Sequence, residues 1–264
     1  MKARSKQIAP LREPTTLQRM KRSSKSDYWQ QSRLPWPSLL FLLPLLIVYE
    51  IGVLWLGGRN AAALRSGADV WLRGGLEFIG LEFIGLGVNW LPPLLVVTGL
   101  LVWQWVERHP WRVSWETLAG MFAECVVFAF VLLLLGQLQS QLFAMSLTQQ
   151  EAAMLARTFG YVGAGIYEEV LFRLTLLPAA FGVLRQTPLP RAWSTSLAVL
   201  LTSVLFSAAH HVGSSGEPFD LFRFSFRTVA GGIFAMLFVL RGFGITAGSH
   251  ALYDILVGVL LVEA

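Results

Sequence analysis

The residues best suited to chemistry in this sequence are two adjacent glutamates and, further along, isolated histidines, all set among apolar residues. Glu168 and Glu169 are followed by Arg173, and three of the four histidines lie in the last 55 residues. A charged side chain inside a membrane helix costs about 2.5–3.5 kcal/mol by insertion scales, so each one needs a partner or a function. The pattern predicts acid–base chemistry in an apolar protein.

Helical spacing separates the roles of the two glutamates. Glu169 and Arg173 are four residues apart, so on a helix they lie on one face within pairing distance. Glu168 lies about 100° further round the helix and does not share that geometry. We expect Glu168 to face the bundle interior as the proton acceptor. The alternative is a structural ion-pair network between helices.

The histidines also occur at helical spacings. Phe206 and His210 share a face, and the small residues between them allow close helix approach. His211 points elsewhere and is predicted to be an interfacial histidine. His250 and Asp254 are again four residues apart, so the carboxylate is expected to orient the imidazole ring. A purely structural His–Asp pair is the alternative.

A metal site is a second interpretation of the same side chains. Two glutamates, two histidines and an aspartate are a sufficient ligand set for zinc or another divalent ion. The sequence has no His-Glu-x-x-His motif, however, and the Glu169–Arg173 pair would place a cation beside the metal. We therefore expect no cofactor, with a divalent metal such as zinc as the lesser alternative.

The composition indicates that these residues are held by membrane helices. Hydrophobic residues make up 55% of the 264 residues, charged residues 14%, and the mean hydropathy is +0.57; a soluble domain carries about 25% charged residues. We predict an all-α polytopic transmembrane helix bundle of about seven spans, or eight if residues 57–87 hide another. The predicted spans are residues 38–55, 91–106, 118–138, 159–184, 193–210, 224–240 and 245–262.

The N-terminal region is strongly basic. Residues 1–33 contain nine lysines and arginines against Glu13 and Asp27. Beside a hydrophobic segment this charge is typical of a cytoplasmic terminus, and no nucleic-acid-binding motif accompanies it. We predict a disordered basic cytoplasmic tail (1–33), N-terminal spans with an interfacial segment (34–117) and a catalytic helix bundle (118–264). The interfacial segment contains a tandem LEFIG repeat, which we interpret as a local duplication.

Three motifs on successive predicted helices resemble a known family. They are EEVLFR at 168–173, FSAAH at 206–210 and HALYD at 250–254. Together they resemble the CAAX prenyl protease and bacteriocin-processing (CPBP or Abi) family of intramembrane glutamic endopeptidases, whose pattern is EExxxR, FxxxH and HxxxN or HxxxD. The resemblance covers about residues 118–262.

The resemblance implies a role for each matching residue. Glu168 would activate the attacking water, and His210 would position that water or pass its proton to the leaving amine. His250 and Asp254 would line the site facing the oxyanion. An ionised Asp254 cannot donate to an oxyanion as asparagine can, so we expect it to orient His250 instead. The remaining motif residues, Glu169 and Arg173, would support the geometry.

The predicted function is therefore an intramembrane endopeptidase. Its partners would be the lipid bilayer and a membrane-embedded or lipid-anchored protein or peptide substrate, with no nucleic acid. The predicted location is the bacterial inner membrane, with the N-terminus cytoplasmic. Two alternatives use the same buried cluster: a non-enzymatic transporter or proton relay, and an immunity-type scaffold without turnover.

Overall fold

The computed structural model describes residues 28–58, 61, 64–78, 90–143, 154–213 and 216–260. Residues 1–27 of the predicted disordered tail lie outside this range. The prediction is wrong for residues 28–33, which are ordered against the bundle: Ser32 is buried and the Tyr28 hydroxyl donates to Glu124. Most of the LEFIG repeat and residues 144–153 also lie outside it. The division of the chain at residues 33 and 117 stays a prediction.

The described residues are helical, with no strand among them, which confirms the all-α prediction. Two short π-helical segments, Val170–Leu176 and Leu256–Leu260, interrupt or extend the α-helices. The α-helices of eight residues or more in this part of the chain are α1 (Pro35–Gly57), α2 (Gly67–Phe78), α3 (Leu91–Val106), α4 (Trp115–Phe143), α5 (Met154–Glu169), α6 (Leu177–Leu184), α7 (Arg191–Ala209), α8 (Leu221–Arg241) and α9 (Phe243–Ile255).

Four of these helices, α1, α4, α7 and α8, are long and apolar enough to cross a membrane. Their outward faces expose large apolar side chains, including Leu134 and Leu200. A continuous apolar exterior of this kind is suited to acyl chains rather than to water. Helix α3 is apolar but has only 16 residues. A membrane helix bundle is thus supported, while the expected seven or eight spans stay a prediction.

Helix α9 is the centre of the bundle, because it packs against α1, α4, α5 and α8. Every residue from Phe243 to Ala251 is buried. Small residues make this packing close: a Cβ atom added at Gly244 would lie 2.7 Å from the Met121 side chain, and one at Gly248 would lie 2.7 Å from Cys125 Sγ. Small residues at helix interfaces let backbones approach, which is the usual basis of helix association in lipid.

A glycine makes the turn from α8 into α9 possible. Gly242 has φ = 84°, a conformation that side chains disfavour. A Cβ atom there would also lie 2.8 Å from the Arg33 backbone. The chain therefore reverses at one residue, and α9 enters the bundle directly beside α8.

An ion pair holds one end of the bundle together. Arg241, at the end of α8, donates from Nε and Nη2 to both carboxylate oxygens of Glu124 on α4, at 2.7 and 2.6 Å. Its guanidinium also lies 3.7 Å from the ring centroid of Trp29, and the Tyr28 hydroxyl donates to Glu124 at 2.6 Å. Glu124, which belongs to no sequence motif, is therefore a link between the N-terminal region, α4 and α8.

Loss of this ion pair should destabilise the bundle. The Glu124→Leu substitution leaves the charge of the nearly buried Arg241 without a carboxylate partner. This lowers the free energy of unfolding by roughly 3 kcal/mol or more. We expect a lower thermal unfolding midpoint in detergent than for the wild type. Glu107→Gln, on an exposed glutamate just after α3, is the control and should leave the midpoint unchanged. Equal midpoints for Glu124→Leu and the control would contradict the assigned role.

Candidate active site

The last turn of α5 is followed at once by a π-helical segment. The two glutamates end the α-helix, and Val170–Leu176 continues with the wider π-helical winding. Such segments occur frequently at functional sites, because they change the direction in which side chains point. Glu168 and Glu169 therefore lie at a local change of helix geometry.

Glu169 is completely buried and joins three parts of the chain. Its Oε2 atom lies 3.0 Å from Arg173 Nε, as the helical spacing predicted. Its Oε1 atom lies 2.8 Å from His250 Nδ1 on α9. Arg173 in turn donates to the Gly231 carbonyl of α8 at 3.0 Å and lies 4.6 Å from the ring centroid of Phe206. The carboxylate thus fixes α5, α8 and α9 relative to one another.

Glu168 points into the space between the two histidines. Its Oε2 atom lies 3.8 Å from His210 Nε2 and 3.8 Å from His250 Nε2. These distances are too long for direct hydrogen bonds. Glu168 Oε2 is itself buried and has no hydrogen-bond partner within the described residues. A buried acceptor without a partner needs an explanation, and this one faces two imidazoles.

The ring of His210 is oriented by its own helix. Nδ1 lies 2.9 Å from the Phe206 carbonyl oxygen. Because a carbonyl can only accept, Nδ1 carries the proton and Nε2 of the neutral ring is left as an acceptor towards Glu168. The ring also packs edge-on against Phe206, with centroids 5.2 Å apart. His210 follows the last residue of α7, so its position depends on where that helix ends.

His250 is oriented by Glu169 more closely than by Asp254. Its Nδ1 contact with Glu169 measures 2.8 Å, whereas Nε2 lies 3.4 Å from Asp254 Oδ2. Asp254 was expected to orient the ring, but Glu169 on α5 makes the shorter contact and has the larger part in this role. Phe234 stacks on the imidazole, with centroids 4.4 Å apart and planes 18° from parallel. The ring is held at its edge and on one face.

All six predicted site residues are thus brought together from three helices and the π-helical segment. His211, predicted to be interfacial, faces away: its Nδ1 contacts the Glu217 carbonyl oxygen at 3.0 Å and its ring packs on Phe219. Phe234 has a place in the site that no sequence motif indicated. Glu50, a buried glutamate in α1, was visible in the sequence only as a charge among apolar residues, and it contacts Tyr167 beside Glu168.

Two other features of the described residues bear on ligands. No group of three or more His, Cys, Asp or Glu side chains there is arranged as a metal site. A cavity of about 490 Å³ lies on another part of the bundle, between Arg33, Trp103, Leu174 and Phe238. Its lining includes none of the predicted site residues.

Comparison with known proteins gives one match. Residues 149–256 match the family model described as type II CAAX prenyl endopeptidase Rce1-like, which covers less than half of the chain. The resemblance to the CAAX prenyl protease family is confirmed. The CAAX protease similarity and the four long apolar helices together support an integral membrane protease. No curated protein and no solved structure matches the chain.

The matched segment includes a loop beside the candidate site, and an ion pair holds this loop. The Glu217 backbone donates to the His210 carbonyl at 2.9 Å, and its carboxylate contacts Arg227 at 2.9 Å and Arg223 at 3.0 Å. Although partial burial raises the pKa of Glu217, hydrogen bonds and charge from Arg227 and Arg223 outweigh it and lower the pKa to about 2. The loop that follows His210 is therefore held to α8.

This ion pair should give a pH-dependent stability. A carboxyl whose pKa is lowered on folding stabilises the fold above its unfolded pKa of about 4.3, and this contribution is lost as the pH falls towards 2. We expect the thermal midpoint of the wild type to fall more steeply between pH 4.5 and 2 than that of Glu217→Gln. The two midpoints, measured in detergent across this range, should converge at the acid end. Parallel pH profiles would show that Glu217 does not contribute.

Proposed function

We propose that the protein is an intramembrane endopeptidase that hydrolyses a peptide bond with a water molecule activated by Glu168. The observation that carries the proposal is the unpartnered, buried Glu168 Oε2 atom, 3.8 Å from a ring nitrogen of each histidine. A water molecule bonded to that oxygen would also lie beside both imidazoles, as hydrolysis requires. The CAAX protease similarity of residues 149–256 supports the same reaction class.

In the proposed reaction Glu168 and His210 transfer the protons. Glu168 accepts a proton from water as the hydroxyl oxygen attacks the carbonyl carbon. The tetrahedral intermediate collapses, the C–N bond breaks, and the proton passes from Glu168 through His210 Nε2 to the departing amine. His210 suits this relay because its Nδ1 proton is engaged by the Phe206 carbonyl, which leaves Nε2 to carry the moving proton.

His250 supplies the group nearest to a developing oxyanion in this proposal. Its protonated form donates from Nε2, while Nδ1 donates to Glu169. Asp254 accepts from the same Nε2 side and cannot itself donate when ionised. Glu169 and Arg173 act as supports: they hold His250 and α8 in place and contact no reacting atom.

The substrate and location follow from the same arrangement. We infer a membrane-embedded or lipid-anchored protein or peptide substrate, because the site lies among apolar helices. The N-terminal basic residues favour a cytoplasmic N-terminus in a bacterial inner membrane. No metal is assigned a role, and a divalent ion held by the same side chains is the competing mechanism.

Removal of the proposed base is the direct test. Glu168→Gln keeps the size of the side chain but cannot accept the proton from water, so kcat for a membrane-peptide substrate should fall by roughly 10²–10⁴-fold. Glu77→Gln, on an exposed glutamate, is the matched control and should cleave at the wild-type rate. Both proteins are purified in detergent and compared for folding by thermal unfolding. Retained cleavage by folded Glu168→Gln would reject the assignment.

Chelation separates the two mechanisms. Wild-type protein incubated with a chelator should keep its activity if Glu168 works without a metal. Loss of cleavage on chelation, with recovery when zinc alone is restored, would instead establish the metal alternative.

Asp254 offers a second test of the site. Asp254→Asn keeps an oxygen that accepts from His250 and adds an amide that can donate to an oxyanion, so most of the activity should remain. Asp254→Leu removes the oxygen that accepts from His250 and adds no donor, and we expect kcat to fall by about 100-fold or more. Steady-state cleavage by the two variants gives the comparison. If asparagine were as damaging as leucine, the negative charge itself would be essential.

A further inference from the structure

A second group of buried charges lies beside α5, the helix that carries the proposed base Glu168 and is called here the catalytic helix. It consists of Glu50 on α1, Arg65 before α2, and Asp69 and Arg73 on α2, and is called here the buried charge cluster. Arg65 lies 3.2 Å from Glu50 and 2.8 Å from Asp69. Arg73 lies 3.3 Å from Glu50 and 2.8 Å from Asp69. Two carboxylates and two guanidiniums therefore balance one another away from water.

Two tyrosines connect this cluster to the helices around it. The Tyr167 hydroxyl of α5 donates to Glu50 Oε1 at 2.6 Å. The Tyr49 hydroxyl of α1 donates to Asp69 Oδ2 at 2.8 Å. Both side chains are completely buried, and their rings meet edge-on with centroids 5.6 Å apart. The two bonds are chemically alike, but only Tyr167 belongs to the catalytic helix.

Tyr167 is the residue immediately before the proposed base. Three consecutive residues on a helix point about 100° apart, and here the outer two are both fixed. Tyr167 is held by Glu50 on α1, and Glu169 is held by Arg173 and His250. The direction of Glu168, between them, is therefore determined from both sides.

The last turn of α5 depends on contacts of this kind to keep its orientation. The regular α-helical winding ends at Glu169, where the π-helical segment begins. One turn earlier, Gly165 lies against the Ala251 backbone of α9. The last turn of α5 is thus a short stretch between a close helix crossing and a change of winding, and a small rotation there would displace the Glu168 carboxylate.

We propose that Tyr167 is a positioning residue whose bond to Glu50 sets the direction of Glu168 towards His210 and His250. This inference rests on the proposed function of Glu168. The buried charge cluster lies in residues 50–73, outside the family-matched residues 149–256. An N-terminal helix of this chain would therefore contribute to the activity of the matched segment through the Tyr167–Glu50 hydrogen bond.

The test compares two substitutions that each remove one hydroxyl. Tyr167→Phe should lower kcat by about 10- to 100-fold, the size of effect that a misplaced catalytic group produces, with KM little changed. Tyr49→Phe removes an equivalent buried bond from the same cluster but not from α5, and its kcat should stay close to that of the wild type. Both variants should lose thermal stability to a similar extent.

A third variant and a second measurement keep the test decisive. Glu50→Asp retains the charge that Arg65 and Arg73 need but withdraws the carboxylate from Tyr167, so it should reproduce the loss of kcat even if Tyr167→Phe does not fold. Deuterium uptake by backbone amides of the last turn of α5 should rise in Tyr167→Phe and Glu50→Asp and not in Tyr49→Phe. This readout does not depend on a substrate.

The outcomes separate this inference from the proposed function. If Glu168→Gln abolishes cleavage while Tyr167→Phe and Tyr49→Phe behave alike in both kcat and deuterium uptake, the positioning role is wrong and the proposed base stands. If Glu168→Gln retains cleavage, the proposed function fails whatever the tyrosine variants do. A selective loss of kcat in Tyr167→Phe and Glu50→Asp, with increased uptake at α5, supports the positioning role.

Discussion

The Glu169 carboxylate is the contact on which the other features of the site depend. It is completely buried, and its two oxygens contact Arg173 and His250 at 3.0 and 2.8 Å. Breaking a buried ion pair is costly, because the remaining charge has no solvent. Since Arg173 also donates to the α8 backbone, the same pair holds α5, α8 and α9 together. The position of the His250 ring therefore depends on the same contacts that hold these three helices together.

The adjacent glutamates therefore differ in what they can do, although they are chemically identical. Glu169 forms an ion pair with Arg173 through Oε2 and a hydrogen bond with His250 through Oε1, so it is suited to structure. Glu168 has a buried oxygen with no hydrogen-bond partner among the described residues, and it is held in place by its neighbours. A buried acceptor held between two imidazoles is preorganised for a donor such as water, and preorganised polar groups are the general basis of electrostatic catalysis.

Local spacing predicted the contacts within a helix and not those between helices. The four-residue steps placed Glu169 near Arg173 and His250 near Asp254, and the apolar segments predicted the helices closely. The contacts of Glu169 with His250 and of Tyr167 with Glu50 join residues 81 and 117 positions apart. They depend on helix packing that a single sequence does not encode locally. The π-helical segment after Glu169 likewise has no signal in the residue pattern.

The distribution of exposure around the site bears on the choice between the proposed hydrolysis and a proton relay across the membrane. The side chains of Glu168, His210 and Asp254 are 13, 25 and 22% exposed, whereas those of Glu169 and Arg173 are 0 and 2% exposed. The described aromatic neighbours of Arg173, namely Phe172, Phe206 and Phe234, lie on its dry side. A relay needs polar groups that continue to a second opening. Partly exposed reacting groups backed by a buried ion pair and aromatic rings are the arrangement that the proposed hydrolysis would use.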